Sequence, residues 1–510
     1  MSFRTGWAGL LAAGMSVGVA VAQTQDAPAD SATLRQRLDE QDQRIKVLAR
    51  ELEILQQKAA EAAATSPGSA AAPAGSAAAA EPGAKRAPLV RQSSTNRFSL
   101  ESADGTYSIA LTGLLQVDVG GYPSFKPASA VVGIQKLSSG LNARRARIGV
   151  AGNVFGDWSY RFIYDGGNSQ DTTPAGIESA QLTYNGFKGV AIDLPGYSST
   201  PFTLEQATSS ADLLFLERST PTNIAYGVNA GDSRANTGVR FYGDRYWFGA
   251  YLTGPASGDS HTQVSERFGA FQRSTFQVLS GPDYSLHLGV GLDELIQAPN
   301  AGPGTAKAIS LSDRPELRID PTPLLNTGTL GTRTNPVKGG LVYAVETAGG
   351  WRGLFAQGEY FRYQISRTGL ATANFDGGYG ALSWVLTGEH RTYNRLTGAY
   401  TGILPNRPFS RSAGGYGAWE LVARVSYADL TDHFVAGSSL TAQPNAVNGG
   451  KQTDYTVGVN WYPNSLLRFM FNYVHTDLRK ANDTVAVGAP LGVPVGTRAD
   501  GIALRLQAAF

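Results

Sequence analysis

Trp158-Ser159-Tyr160-Arg161-Phe162-Ile163-Tyr164 places Trp158, Tyr160, Phe162 and Tyr164 on one face of an extended strand and Ser159, Arg161 and Ile163 on the other. The same period of two recurs along the chain. Tyr284 to Leu292 sets Tyr284, Leu286, Leu288, Val290 and Leu292 against Ser285, His287, Gly289 and Gly291. Trp419 to Tyr427 sets Trp419, Leu421, Ala423, Val425 and Tyr427 against Glu420, Val422, Arg424 and Ser426. Ile502, Leu504, Leu506, Ala508 and Phe510 alternate with Ala503, Arg505, Gln507 and Ala509. Turn signals such as Gly281-Pro282-Asp283, Gly243-Asp244 and Tyr462-Pro463-Asn464 separate the runs. Seventeen candidate segments can be marked, and bacterial barrels carry an even number, so sixteen strands are expected.

A soluble sandwich would turn the apolar face inward, whereas a membrane barrel turns it to lipid. Strands of about ten residues with aromatic apolar faces and few charges favour an all-β transmembrane antiparallel β-barrel. Such a sheet has to close, because backbone groups at an open edge find no partner in lipid. Phe510 at the end of an amphipathic strand reads as a signal for barrel assembly in the outer membrane.

Composition agrees. Of 510 residues, 16% are charged, against about 25% in soluble chains, while Gly (61), Tyr (22) and Phe (21) are plentiful. Beyond the N-terminus no apolar run approaches the roughly 20 residues of a membrane helix. A net charge of +2 gives no sign of a nucleic-acid partner. The absence of cysteine excludes disulfides, thiolate metal sites and cysteine nucleophiles.

Residues 1–22 read as a signal peptide: Arg4, a short apolar run from Gly6 to Val21, and Ala20-Val21-Ala22 before Gln23. The alternative, a short membrane anchor, fits the small-residue end less well. Residues 31–58 carry a heptad seam, Leu34, Leu38, Gln41, Ile45, Leu48, Leu52 and Leu55, which predicts a short periplasmic coiled-coil helix. A lone amphipathic helix is the alternative. Residues 59–92, rich in Ala, Pro, Gly and Ser, read as a linker, and residues 93–510 as the barrel.

With the apolar face on lipid, the other face lines the lumen. From residue 93 onward there are 26 Arg and 7 Lys against 32 acids, so placement rather than net charge sets any selectivity. Alternation points Arg145, Arg147, Arg161, Arg240, Arg424, Arg468 and Arg505 inward. A charge at mid-depth on the lipid face costs about 2–4 kcal/mol. Guanidinium forks match phosphate and carboxylate oxygens two at a time, so a basic lining partly free of acids would favour anions. Pairing with luminal acids such as Asp165, Glu178 or Glu420, which would merely brace the wall, is the alternative.

Several stretches resemble the phosphate-selective porins of the Gram-negative outer membrane, a trimeric phosphate- and polyphosphate-specific group. They are Leu141-Asn-Ala-Arg-Arg-Ala-Arg-Ile-Gly149, Phe155-Gly-Asp-Trp-Ser-Tyr-Arg-Phe-Ile-Tyr-Asp165, Tyr184-Asn-Gly-Phe-Lys188, Pro201-Phe-Thr-Leu-Glu-Gln-Ala-Thr-Ser-Ser210, Phe215-Leu-Glu-Arg-Ser219 and Gly417-Ala-Trp-Glu-Leu-Val-Ala-Arg424. The likeness runs over roughly residues 95 to 510. It implies a homotrimer of sixteen-stranded barrels in the outer membrane, without cofactor, passing small anions such as phosphate through a basic constriction. Arg144-Arg145 resembles the family's paired constriction arginines. Arg144 shares the parity of Ala146 and Ile148 and so would reach the pore only from beyond the regular strand. Residues 197–220 resemble the family's inward-folded loop, with Pro201, Phe202, Glu205, Ser209 and Ser210 in it and Glu217 or Arg218 near the pore. Phosphate-preferring relatives carry lysine near the Pro-Phe pair, whereas Ser198-Ser199-Thr200 precede Pro201 here. The likeness therefore carries anion preference further than phosphate specificity.

Two other functions fit less well. A general or sugar-type porin would use luminal aromatics such as Tyr242 or Tyr462. A barrel hydrolase needs a Ser–His–acid set, and His261, His287, His390, His433 and His475 show no spacing to serine or to each other that signals catalysis or a metal. A trimeric autotransporter-like adhesin would have a far shorter barrel.

Overall fold

The computed structural model describes residues 89–91, 98–127, 136–167, 176–229, 231–257, 265–484 and 490–510. The expected leader over 1–22, the heptad helix over 31–58 and all of the 59–92 linker except Leu89–Arg91 lie outside the described residues, as does His261.

Sixteen long strands run in chain order: β1 (Ser108–Pro127), β2 (Gly140–Val154), β3 (Trp158–Asp165), β4 (Gly176–Tyr184), β5 (Val190–Ser198), β6 (Arg234–Tyr242), β7 (Tyr246–Ala256) and β8 (Phe268–Ser280). They continue as β9 (Tyr284–Gln297), β10 (Val337–Trp351), β11 (Leu354–Arg367), β12 (Ala373–Val385), β13 (Ala418–Asp432), β14 (Val447–Tyr462), β15 (Leu467–Arg479) and β16 (Thr497–Ala509). Each pairs antiparallel with its chain neighbours, and β16 pairs back onto β1, so the sheet closes with no free edge. The sixteen-strand expectation holds. Leu89–Arg91, read from sequence as the end of the linker, is instead a short strand. It pairs with Ser99–Glu101, which extends the start of β1 beyond the end of β16.

At the seam Phe510 exchanges backbone hydrogen bonds with Gly113, N to O, at 3.0 and 2.9 Å. Its ring covers Gly113 so closely that a Cβ there would lie 2.3 Å from the ring, which is why the position is glycine.

Alternation becomes orientation. Leu382, Trp384, Val345 and Leu504 are exposed on the outer surface, while their neighbours Ala381, Ser383, Ala344 and Ala503 are buried. One end of the barrel is joined by tight turns: residues 155–157, 243–245, 281–283 and 352–353. Phe155 and Arg352 take left-handed backbone conformations there, with φ of 54° and 52°. Longer connections at the other end mark it as extracellular.

Among the described residues, three connections turn inward instead of outward. The first joins β5 to β6 and contains helix α1 (Leu204–Ala207) and helix α2 (Thr220–Val228). The second joins β9 to β10 and carries the hairpin Ile309–Asp313 with Leu325–Leu330. The third, residues 386–417, enters from the turn end and holds the small hairpin Tyr393–Asn394 with Ala399–Tyr400. Apolar residues of the first two form one core, in which Phe202, Leu216, Ile224 and Val228 pack with Leu311, Leu317 and Leu325 and with inward residues of the wall, while Ala399 and Tyr400 of the third join a separate cluster with Leu204 and Phe215.

Candidate functional site

The inward-folded loop is held where its polar ends find partners on the wall. Thr203 caps α1 by accepting from Gln206 N (3.0 Å), and the free N–H groups of Leu204 and Glu205 donate to the Glu359 carboxylate on β11 at 2.7 and 3.2 Å. The N–H of Thr220, opening α2, donates to Glu316 of the second insert at 3.0 Å. At the far end of α2, Arg267 donates to the carbonyls of Gly227 and Val228. Phe202 is fully buried against Phe271, with ring centroids 5.8 Å apart. The loop turned into the lumen thus reaches past residue 220 to the end of α2.

Arg144 corrects an expectation. It belongs to β2 and not to a flanking loop. The β1–β2 register slips between Gln116, opposite Arg145, and Val117, opposite Ala143, which leaves Arg144 as the extra residue of a bulge. The slip turns both members of the pair inward. Arg144 grips Glu217 of the loop in a fork, Nε to Oε1 at 2.7 Å and Nη2 to Oε2 at 2.9 Å. Arg505 on β16 holds Glu217 from the other side at 2.8 Å while bound to Asp118 at 2.6 Å. Burial pushes the Glu217 carboxyl up, but the Arg144 and Arg505 guanidiniums outweigh it and hold it well below the usual carboxylate range.

Arg145 differs from its neighbours. It is buried to 2% exposure and donates Nη1 to Gln116 Oε1 at 2.7 Å. Its Nε has no partner, and no carboxylate lies within ion-pair reach of it among the described residues. Arg147 is bound to Asp165 at 2.7 Å and Glu178 at 2.9 Å, and donates to Ser210 at 3.3 Å. Arg218 donates to the Glu205 carbonyl at 3.0 Å and faces Asp232 at 3.7 Å.

Three other arginines expected along the pathway are sealed off, because the inserts cover that wall. Arg424 ion-pairs with Glu316 and, at 3.2 Å, with Glu205; it lies over the Phe215 ring and is 2% exposed. Arg468, also 2% exposed, donates to the carbonyls of Ala211 and Leu214 and faces Glu420 at 3.9 Å. Arg505 is clamped between Asp118 and Glu217. On this side a guanidinium is a brace, not a lining.

On the opposite wall, β2 to β6, several guanidiniums reach water, although Arg145 does not. Arg240 pairs with Asp193 at 2.9 Å and is 22% exposed. Arg161 is exposed and has no ion pair among the described residues. Register puts Arg161 opposite Ala151 and Arg240 opposite Ala191, both near the turn end, while Arg147 stands opposite Asp165 at the loop end of β3. Water-accessible guanidiniums therefore occur along this wall from the level of the inward loop to the turn-side mouth.

Sequence reasoning missed the second and third inserts and, of the carboxylates that anchor them, Glu316 and Glu346; Glu420 was named as a bracing acid, but without its partner Arg391. Glu316 binds Arg424, Thr220 and Thr456 together. Glu420 takes Arg391 of the third insert at 2.8 Å together with Ser383, Asn460 and Tyr462. Glu346 pairs with Arg273 at 2.7 Å, and Arg273 donates to the carbonyls of Thr397 and Gly398. The available signal was weak: these connections carry Pro and Gly, and the alternating run Ile309-Ser-Leu-Ser-Asp313 is only 5 residues long. Tyr462, weighed as part of a sugar track, is buried beneath Arg468 and bonded to Glu420. His433 contacts Asp432 at 2.9 Å, and His287 is buried between Glu346 and Tyr393.

Comparison with known proteins matches residues 109–510 to the family described as phosphate-selective porin O and P. The chain belongs to that family, and its barrel is an outer-membrane channel. It is 24% identical over 387 residues to Porin O of Pseudomonas aeruginosa, covering 74% of this chain and 84% of that protein. It is 26% identical over 499 residues to an uncharacterized protein of Caulobacter vibrioides, covering 92% and 90%. Among solved structures, OmpT of Vibrio cholerae in its trimer form is similar at a TM-score of 0.46 and 11% identity, over 79% of this chain and 100% of that one. An anion-selective porin from Comamonas acidovorans is similar at 0.44 and 12%, over 79% and 100%.

Proposed function

We propose that this porin passes small anions in preference to cations, along the β2–β6 wall and past the constriction made by the inward loop. The observation that carries this reading is Arg145: a buried guanidinium with no carboxylate partner, between Arg144 and Arg147 on one strand. Beyond it, toward the turn-side mouth, stand Arg161, exposed and without an ion pair among the described residues, and Arg240, partly exposed and paired with Asp193. A guanidinium 4 Å from an anion attracts it by about 4 kcal/mol at an effective dielectric of 20, enough to select and weak enough to release. The family description, phosphate-selective, supports the same sign of selectivity. Phosphate is a candidate solute; with no lysine beside the Pro201-Phe202 pair, its block of chloride current is expected to be weaker than in a lysine-bearing relative.

The same reading extends to assembly. The chain works as a homotrimer in the outer membrane, exported by residues 1–22, with residues 31–58 forming a three-stranded periplasmic bundle tethered through the 59–92 linker. Deleting 31–58 is expected to lower the heat resistance of the trimer on gels.

Reversal potentials of purified protein in a planar bilayer under a potassium chloride gradient test the selectivity. Chloride is expected to carry more current than potassium, and R145Q/R147Q to lose much of that bias. Cation preference, or none, in the unaltered protein ends this reading.

A further inference from the structure

Outside the lumen, one level of the barrel carries a continuous row of outward-facing charge. In cross-strand register Arg362 on β11 stands opposite Asp376 on β12, Asp376 opposite Asp429 on β13, Asp429 opposite Lys451 on β14, and Lys451 opposite Arg479 on β15. Two residues closer to the turns, Asp477 on β15 stands opposite Arg498 on β16, and Arg498 opposite Lys126 on β1. Directly opposed residues share one side of a sheet, and the inward neighbours Gln452, Leu478 and Ala499 are buried, so this row faces outward.

Height fixes what it faces. Just below, toward the turns, Tyr360, Tyr427, Tyr455 and Tyr473 form an aromatic belt of the kind that sits at a membrane–water interface. Below the belt the surface is apolar: Leu382, Val425, Val457, Phe471 and Leu504 are exposed. The charged row thus lies at headgroup level, at the long-loop, extracellular end.

Its pairing is unusual. Like charges directly opposite one another destabilise a sheet, yet Lys451 faces Arg479 and Arg498 faces Lys126. The acids cover only part of this. Asp429 takes Lys451 at 2.6 Å, and Asp477 is shared at 3.7 and 3.6 Å by Arg479 and Arg498. Arg479 and Arg498 stay 81% and 66% exposed, and Lys126 is exposed with no ion pair among the described residues. A multivalent anion seated between each like-charged pair removes the repulsion, and phosphate oxygens match such donors.

We propose that Lys451, Arg479, Arg498 and Lys126 form a docking surface for the phosphorylated glycolipid of the outer leaflet, its phosphate groups lying between the two like-charged pairs while its acyl chains run down the apolar band. The surface is outside the lumen, so it stands whatever ions the pore prefers.

Native mass spectrometry of the purified full-length protein in neutral detergent, titrated with bisphosphorylated lipid A and separately with lipid A stripped of both phosphates, tests it. The phosphorylated form is expected to bind at least about tenfold more tightly, and K126Q/K451Q/R479Q/R498Q to abolish the difference. R362Q/D376N, at the other end of the row, is expected to keep it, and heat-modified gel mobility verifies that each variant barrel is closed. Equal affinity for the two lipids in the unaltered protein overturns the proposal, as does a fourfold variant that retains the preference. A fourfold variant that still binds the lipid but separates into single copies also overturns it, assigning the row to contact with a second copy.

Discussion

The two halves of the lumen use the same side chain for opposite ends. Along β13–β16 and β1, arginines sit dry under the inserts, each tied to a carboxylate or to insert carbonyls: Arg424 to Glu316, Arg468 to Ala211 and Leu214, Arg505 to Asp118. Along β2–β6, Arg147, Arg161 and Arg240 reach water, while Arg145 is as buried as the braces but, like Arg161, has no carboxylate partner among the described residues. A luminal arginine therefore says little about conduction until its partner and its water are known. A buried pair is costly to break because the survivor is stranded, whereas a wet one is replaced cheaply by solvent.

Breaking the dry side is expected to have the largest effect. Glu316→Leu leaves the buried Arg424 with Glu205 as its one carboxylate partner among the described residues and releases the N-terminus of α2, a loss of about 3 kcal/mol. The unfolding temperature of the barrel should fall, and single-channel conductance should rise as the inserts loosen; unchanged conductance would mean the inserts are held elsewhere. Next comes the wet side: Arg161→Gln, at an exposed side chain with no ion pair among the described residues, should leave stability within about 1 kcal/mol and reduce the chloride-to-potassium ratio, read from the reversal potential.

Acid sharpens the comparison further. The folded-state pKa of Glu217 is depressed, so its contribution to stability is present above the ordinary carboxylate range, about 4.3, and is lost only as pH falls through its lower folded value. Selectivity and heat resistance should stay level from pH 7 to about 5, whereas an early loss would place Glu217 outside the Arg144–Arg505 clamp. The smallest effect is expected at the exposed pair Arg395–Asp244, 62% and 91% exposed, where Asp244→Ala should shift thermal stability by less than about 1 kcal/mol.

The sequence was legible where physics acts on one strand at a time. Lipid on one side imposes a period of two, so Trp158 to Tyr164 announced its own orientation, and the strands together announced a closed sheet. It was illegible where partners come from distant segments. Glu316 and Arg424 are 108 residues apart, and nothing local marks them as a pair. Arg144 marks the boundary between the two cases: alternation gave it the wrong side because a bulge advances the register by one residue, and a bulge depends on both strands. The folding inward of residues 386–417 from the turn end likewise had no periodic signature.

The join at Gly113 and Phe510 has a kinetic consequence. Two stretches nearly the whole described chain apart must meet before the barrel is rid of its last two free edges, and such distant encounters are slow. Until they do, β1 and β16 each present an unpaired ladder that another chain can capture. The glycine under the aromatic ring thus acts as the latch of a circle, and an alanine at 113 should show itself first as slower maturation and more aggregation, ahead of any change in the finished channel.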